Sequence, residues 1–165
     1  MSPETEQIKL PNFIVIGAPK SGTTSLFYYL GQHPDIYLPV RKELHFFSYE
    51  ELSKRNHGPG DAEIVGNLCA TYEQYVAHYR DVKTERAIGE VSPSYLYYSA
   101  SAERIYSMLG SIKIIAILRN PIDKAYSQYM HLKRDGREDL DFTHALREEC
   151  RRQGMGWSDI WYYAK

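Results

Sequence analysis

Residues 16–25 read Ile16-Gly17-Ala18-Pro19-Lys20-Ser21-Gly22-Thr23-Thr24-Ser25, and this stretch decides the fold of the 165-residue chain. The apolar run Phe13 to Ile16 precedes it, and Leu26-Phe27-Tyr28-Tyr29-Leu30 follows it. This order predicts a strand, a glycine-bearing turn and a helix. Such a turn binds anions, because glycines let the backbone come close to the ligand and the free N–H groups at the helix start point towards it.

The two glycines of this turn, Gly17 and Gly22, have the spacing of the first half of a P-loop, G-x-x-x-x-G. The second half does not fit. A nucleoside triphosphatase places Lys and then Ser or Thr after the second glycine, whereas here Thr23 and Thr24 follow it and Lys20 precedes it. The loop therefore suits an anion better than ATP with magnesium, and a P-loop kinase or NTPase is kept only as an alternative.

Two later segments extend the pattern. The first is Lys42-Glu43-Leu44-His45-Phe46-Phe47, and the second is Leu118-Arg119-Asn120-Pro121 continuing to Ser127. Together with the loop, these blocks resemble in content and order the motifs of sulfotransferases that use 3′-phosphoadenosine 5′-phosphosulfate (PAPS). The resemblance covers most of the chain and is closest to the branch of heparan-type carbohydrate sulfotransferases and their bacterial relatives. It implies a PAPS-dependent sulfotransferase.

The resemblance assigns the anion-binding loop to the sulfuryl donor. Lys20 would stabilise the negative charge that develops on the bridging phosphate oxygen as the sulfuryl group leaves, which makes it a catalytic residue. Arg119 and Ser127 match the pair that grips the 3′-phosphate, with the arginine acting as a bidentate fork. The implied PAPS-binding residues are Lys20, Ser21, Gly22, Thr23, Thr24, Ser25, Arg119 and Ser127. With these groups supplying positive charge, no metal is expected.

The second block offers a general base. Glu43 and His45 lie two residues apart in a segment that we expect to be extended, so their side chains would share one face. The acceptor must lose a proton as it attacks sulfur, and a carboxylate within hydrogen-bond reach suits that step. In the heparan-type branch the glutamate of this block is the base, which implies that role for Glu43, with His45 as a catalytic partner. Glu90, at the end of a predicted strand, remains a competing base.

The acceptor is only coarsely indicated. Gly89-Glu90-Val91-Ser92-Pro93-Ser94-Tyr95 resembles the family segment that lines the acceptor cleft. Val91 stands where the glycosaminoglycan enzymes tend to carry a lysine, so one contact for an anionic polysaccharide is missing. We expect a hydroxyl or amine of a carbohydrate or small molecule to receive the sulfuryl group.

Composition excludes several classes of protein. A net charge of −1 at pH 7 argues against nucleic-acid binding, which usually requires a basic excess. The apolar stretches are too short to span a bilayer, and the polar start Met1–Lys9 is unlike a signal peptide. Cys69 and Cys150 lie far apart in sequence and do not have the spacing of metal ligands. We expect both to be reduced thiols, as in most cytosolic proteins. We therefore expect a cytoplasmic protein without a nucleic-acid or membrane partner.

Strands and helices alternate along the chain. Strands are predicted over residues 12–17, 87–91 and 112–118. Helices are predicted over 22–32, 71–81, 100–109, from Pro121 onwards and over 141–152, with a loop over 52–62. The run 112–118 is almost wholly apolar, which is typical of a strand buried on both faces of a parallel sheet. These elements predict an α/β fold, a P-loop-like three-layer α/β/α arrangement with a central parallel sheet, in a single domain over 1–165.

The end of the chain is aromatic, Trp157-Ser158-Asp159-Ile160-Trp161-Tyr162-Tyr163-Ala164-Lys165. Family members are longer and close the nucleotide site with a basic, glycine-containing loop that has no counterpart here, so we expect a fold that is incomplete at the C-terminus. The aromatic end would then dock on the domain or on a partner, which raises the prospect of a homo-oligomer. A truncated, non-catalytic nucleotide-binding or interaction domain is the main alternative to an active enzyme.

Overall fold

Four short strands form a parallel sheet in the computed structural model, which describes residues 8–164. In chain order they are β1 (Phe13–Gly17), β2 (Ile36–Tyr37), β3 (Ala87–Val91) and β4 (Lys113–Ala116). Across the sheet the order is β2-β3-β1-β4, and all three pairings are parallel. β1 therefore lies inside the sheet. The expectation of no signal peptide rests largely on residues 1–7, which lie outside the described residues.

Helices connect and cover these strands. Between residues 8 and 164 they are α1 (Thr23–Leu30), α2 (Tyr49–Ser53), α3 (Asp61–Gly66), α4 (Tyr72–Ala77), α5 (Ala100–Leu109), α6 (Pro121–Arg134) and α7 (Phe142–Gly154). Short 3₁₀ turns lie at Phe46–Ser48, Pro93–Leu96 and Asp159–Trp161. None of the helices in this part of the chain has both the length and the apolar character required to cross a membrane.

The side chains of β1 alternate between two cores. Ile14 packs on one face of the sheet in a cluster with Leu44 and Tyr75, to which α4 and α5 contribute. Phe13 and Val15 belong to a second cluster, to which α1 contributes. Because successive strand residues point to opposite faces, the sheet has helices on both sides. The predicted three-layer α/β/α fold is confirmed.

The strand β4 differs from its prediction. It covers four residues rather than seven, and all four side chains are exposed. Ile114 and Ile115 are 49% and 36% exposed. The prediction of a strand buried on both faces is wrong, because β4 lies at the edge of the described sheet and pairs only with β1. An apolar run has the same sequence pattern at an edge as at the centre of a sheet.

The region after β2 is more helical than expected. The predicted loop over 52–62 contains the end of α2 and the start of α3. The helix predicted over 71–81 is confirmed only as the shorter α4, which begins after Thr71 in a capping box with Gln74. Tyr75 and Tyr79 are buried as the periodicity predicted, whereas Tyr72 is exposed. The two strands predicted over 12–17 and 87–91 and the helix over 100–109 are confirmed to within one residue.

The aromatic C-terminal segment docks on its own domain. Trp161, Tyr162 and Tyr163 are buried in a cluster with side chains of α6 and α7. The guanidinium of Arg152 lies 5.1 Å from the ring of Trp157 and 5.0 Å from the ring of Trp161. Of the two expected docking sites, the domain is the one observed. Self-association through this segment stays a prediction.

Gly89 in β3 lies against the ring of Phe13, and a Cβ atom there would come within 2.1 Å of Phe13 Cζ. We expect Gly89→Ala to lower the free energy of unfolding by about 3 kcal/mol, because the added methyl group overpacks two paired strands. Urea denaturation measures the change. Gly66→Ala is the matched control, since a Cβ there meets no atom within 4 Å. Similar stabilities for the two variants would contradict this packing.

Candidate active site

The glycine-bearing loop joins β1 to α1 at the carboxyl end of the sheet. Ala18 N–H donates to Ile117 O at 2.7 Å and Ile117 N–H donates to Gly17 O at 2.8 Å, which ties the loop to the chain leaving β4. Lys20 and Gly22 have positive φ angles of 60° and 95°. Both residues therefore have the left-handed backbone conformation that lets the chain turn sharply between β1 and α1.

The N-terminus of α1 is arranged for an anionic ligand. No side chain caps it, and no acidic residue lies in its first turn. The first N–H groups of a helix have no intrahelical acceptor and carry the positive end of the helix dipole. A Cβ atom at Gly22 would meet nothing within 4 Å, so the space beside the loop is open. These features fit a phosphate or sulfate group.

Lys20 adds a charge to this end of the site. Desolvation lowers the pKa of its ammonium, and the charge of Arg134 lowers it further, while the carboxylates of Asp135 and Glu43 act in the opposite direction. Its backbone oxygen accepts a hydrogen bond from Arg119 Nη1 at 3.2 Å. The loop therefore carries the ammonium of Lys20 and binds the guanidinium of Arg119 through its backbone.

Glu43 and His45 lie together, but not on a strand. Their φ angles are 64° and 56°, so the expectation of an extended segment is wrong. Two left-handed residues bring Glu43 Oε2 to 3.6 Å from His45 Nε2. Non-glycine residues in this region are strained and require support from their surroundings. Part of that support is the bond from Glu43 N–H to Val91 O at 3.0 Å.

A chain of hydroxyl groups holds His45 in place. Its Nδ1 lies 2.7 Å from Ser94 Oγ, which lies 2.8 Å from Ser48 Oγ. Its backbone N–H donates to Ser92 Oγ at 3.3 Å, and that hydroxyl donates to Glu90 Oε1 at 2.7 Å. The imidazole is thereby fixed on one side, and its Nε2 is directed towards Glu43.

Glu90 lies beneath the cleft and not in it. The side chain is 1% exposed, and its carboxylate accepts hydrogen bonds from the hydroxyls of Tyr75, Ser92 and Tyr95. Desolvation raises the pKa of Glu90 although these hydroxyls act in the opposite direction. A carboxylate already surrounded by three donors supports the loop above it. The geometry therefore favours Glu43 over Glu90 as the base.

The Glu43 carboxylate is strongly acidic. Desolvation raises its pKa, but the hydrogen bond from His45 and the nearby charges of Lys42 and His45 outweigh that effect and lower the pKa to about 2. Lys42 is in direct contact with Glu43 Oε1. The carboxylate is therefore ionised, and able to accept a proton, throughout the neutral pH range.

The loop and the Glu43–His45 pair open onto one cleft of about 770 Å³. The predicted site residues that line it are Lys20, Gly22, Thr23, Thr24, Glu43 and His45. Ser21 and Ser25 lie in the same loop and first turn but do not line it. One concave site therefore combines an uncapped helix N-terminus with an ionised carboxylate.

Arg119 and Ser127 lie outside this cleft. Arg119 is exposed and bonded to the loop backbone, and Ser127 lies part-buried within α6. No hydrogen bond joins the two side chains in the described part of the chain. Asn120 caps α6 as predicted, since its side chain accepts from Ile122 N–H at 3.0 Å. Arg119 is thus bonded to the loop, and neither residue lines the cleft onto which Glu43 opens.

Sequence reasoning missed the contribution of α6 and the C-terminal segment. Lys124, Gln128 and His131 line the cleft from α6, and Asp159 and Tyr162 line it from the C-terminal segment. The first three are spaced four and three residues apart, which places them on one helical face directly after the Arg119 block. That spacing was available in the sequence. The C-terminal residues carried no such signal.

The side chains that could bind a metal ion are not clustered in the described part of the chain. No group of three or more His, Cys, Asp and Glu side chains within residues 8–164 is arranged to hold an ion.

Comparison with known proteins identifies the family. The profile of the sulfotransferase family matches residues 11–163. A solved sulfotransferase structure from Alicyclobacillus acidocaldarius superposes with a TM-score of 0.91 at 44% identity, covering 94% of this chain and 63% of that one. The chain belongs to the sulfotransferase family.

Curated relatives are much longer than this chain. The membrane-associated sulfotransferase kil1 of Dictyostelium discoideum is 34% identical over 89% of this chain and 30% of its own length. Human heparan sulfate glucosamine 3-O-sulfotransferase 5 is 32% identical over 82% of this chain and 34% of its own length. The chain thus spans about a third of the length of these relatives.

We expect Lys42→Ala to raise the pKa of Glu43 by about one unit, because the variant loses an adjacent ammonium that stabilises the carboxylate. In the parent the folded-state pKa lies below the usual 4.5, so this group's stabilisation is lost as pH falls from 4.5 towards 2. Carboxyl-detected NMR titration measures both values. Lys54→Ala, which removes the exposed partner of Glu50, is the control and leaves Glu43 unchanged. A parent midpoint near 4.5 would contradict the ion-paired site.

Proposed function

We propose that this member of the sulfotransferase family transfers a sulfuryl group from PAPS to a hydroxyl or amine of a carbohydrate or small-molecule acceptor. The observation that carries the proposal is that Lys20 and the Glu43–His45 pair line one cleft. A donor bound at the loop and an acceptor activated by the carboxylate would then meet in the same space.

The residues present fit PAPS as the donor. PAPS supplies a sulfuryl group on a phosphate leaving group and carries a 3′-phosphate. The uncapped N-terminus of α1 and the ammonium of Lys20 suit the 5′-phosphosulfate. Arg119 is bonded to the same loop without lining the cleft, and its exposed guanidinium would bind the second phosphate, with Ser127 as the proposed hydroxyl partner.

Lys20 and Glu43 would divide the chemistry between them. Lys20 holds positive charge where negative charge develops on the leaving oxygen, so it stabilises the transition state more than the ground state. Glu43 accepts the acceptor's proton on a carboxylate oxygen, and His45 orients that carboxylate. A carboxylate with so low a pKa is a weak base. It suits a loose transition state, in which the attacking group gives up its proton late.

The acceptor is proposed from the relatives of the chain, and the cellular location from its sequence. Relatives named heparan sulfate sulfotransferases support a carbohydrate acceptor. A cytoplasmic location remains a prediction from sequence. A non-catalytic nucleotide-binding domain remains the alternative function.

Calorimetry with 3′-phosphoadenosine 5′-phosphate (PAP) tests the donor site. We expect the chain to bind PAP more tightly than ADP, with no effect of magnesium, because the loop lacks the P-loop lysine and Arg119 recognises the extra phosphate. Arg119→Ala should weaken PAP binding by about 10- to 100-fold, the loss expected for a hydrogen bond to a charged group. ADP binding should change much less.

Arg147→Ala is the matched control, since that arginine is exposed on α7 and lies outside the cleft. It should leave PAP affinity unchanged. Preference for ADP with magnesium would support a kinase or NTPase instead. Failure to bind either nucleotide would contradict a complete donor site in this chain.

A further inference from the structure

The C-terminal segment brings a carboxylate into the cleft that the proposed reaction does not use. Asp159 lines the cleft together with Tyr97 and Ile160. Its Oδ1 accepts a hydrogen bond from the Tyr98 hydroxyl at 3.0 Å. Among residues 8–164, no other side chain forms a hydrogen bond or ion pair with Oδ2. This oxygen is therefore available to a ligand in the cleft.

Rigid neighbours hold Asp159 in position. The buried carboxylate of Asp61 accepts from Ser158 N–H at 2.8 Å, from Ser158 Oγ at 2.7 Å and from Trp161 Nε1 at 3.1 Å. Gln128 Nε2 donates to Ile160 O at 2.8 Å. Residues on both sides of Asp159 are thus fixed, and binding a ligand would require little reorganisation.

The charge of Asp159 is poorly compensated by direct contacts. Desolvation raises its pKa, opposed by the Tyr98 hydrogen bond and by the charge of His45. The nearby ammonium of Lys124 donates to the backbone oxygens of Tyr162 and Tyr163, at 3.2 and 3.4 Å. A desolvated carboxylate without a bonded cation lowers stability, which is more common at functional sites than elsewhere. Asp159 and His45 line the same cleft, so the carboxylate shares the space of the proposed reaction centre.

Most cations that line the cleft already have partners. Lys42 contacts the carboxylate of Glu43. A guanidinium nitrogen of Arg137 lies 3.8 Å from Glu63 Oε2. Lys124 is bonded to backbone carbonyls, which leaves the loop lysine for the donor. The cleft therefore offers an anionic acceptor little compensation for the charge of Asp159.

We propose, resting on the function proposed above, that Asp159 accepts a hydrogen bond from a hydroxyl or amine of the acceptor while Tyr97 packs against its ring. A carboxylate has only acceptor atoms, so it binds donors and repels anions. Tyrosine supplies an apolar face for a sugar or other ring. The site thereby selects uncharged or amine-bearing ring acceptors and disfavours those that carry a carboxylate or sulfate.

Three acceptors with the same aglycone test this selection. They are the 4-nitrophenyl β-glycosides of glucose, glucosamine and glucuronic acid, assayed with PAPS on the full chain. The parent should prefer the first two. Asp159→Asn keeps an oxygen for the Tyr98 hydroxyl but removes the charge. This variant should raise KM for the glucoside and the glucosaminide by about 10- to 100-fold, with kcat little changed. Its KM for the glucuronide should be unchanged or lower.

The control is Asp139→Asn, which removes an exposed carboxylate outside the cleft and should behave as the parent does. Asp159→Asn should also raise the melting temperature at pH 8 by about 2–4 °C, because a desolvated charge is lost. PAP calorimetry separates this proposal from the general one, since both variants should bind PAP normally.

A parent that prefers the glucuronide, or that transfers to none of the three while binding PAP, would overturn the selection proposed for Asp159. So would an Asp159→Asn variant with the parent's acceptor preferences. Failure of the parent chain to bind PAP would instead contradict the proposed sulfotransferase function.

Discussion

The buried carboxylate of Glu90 connects the sheet to the cleft. It lies at the end of β3, 1% exposed, and three hydroxyl donors compensate for its burial. Removing the Tyr75 hydroxyl would leave Oε2 of this buried carboxylate without a donor, which is costly in a region of low dielectric. Through Ser92 this network reaches the backbone of His45, and so it helps to keep two strained residues, Glu43 and His45, in their left-handed conformations. The geometry of the proposed base therefore depends on a residue that the cleft does not expose.

Parallel strand order explains why distant segments meet. β3 and β4 lie on either side of β1, so the chain leaving each of these strands emerges at one edge of the sheet. The loop after β1 and the turn after β3 contribute to the cleft, and the turn after β4 brings Arg119 to the loop backbone. Arg119 contacts this loop without lining the cleft onto which Glu43 opens. That division suits a ligand whose two anionic groups are far apart.

Local chemistry made some of this predictable. Gly17, Gly22 and Lys20 indicated the anion-binding turn, and Asn120-Pro121 indicated the start of α6, because each depends on residues adjacent in sequence. The exposure of β4 was not predictable, since an apolar run does not reveal how many neighbours a strand has. The left-handed conformations of Glu43 and His45 depend on contacts with β3 and the turn after it, far away in sequence. Asp159 enters the cleft only because the aromatic segment docks on α6 and α7.

The central claim is that Lys20 and Glu43 act as one catalytic unit, and a double-mutant cycle on sulfuryl transfer tests it most directly. PAPS and 4-nitrophenyl glucoside are the substrates, with Lys20→Ala, Glu43→Gln and the double variant compared with the parent chain. We predict that each single change lowers the transfer rate by about 100-fold or more, and that the double change lowers it little further, because groups that serve one transition state are not additive. Near-parental transfer by either single variant, or losses that multiply in the double variant, would contradict the account.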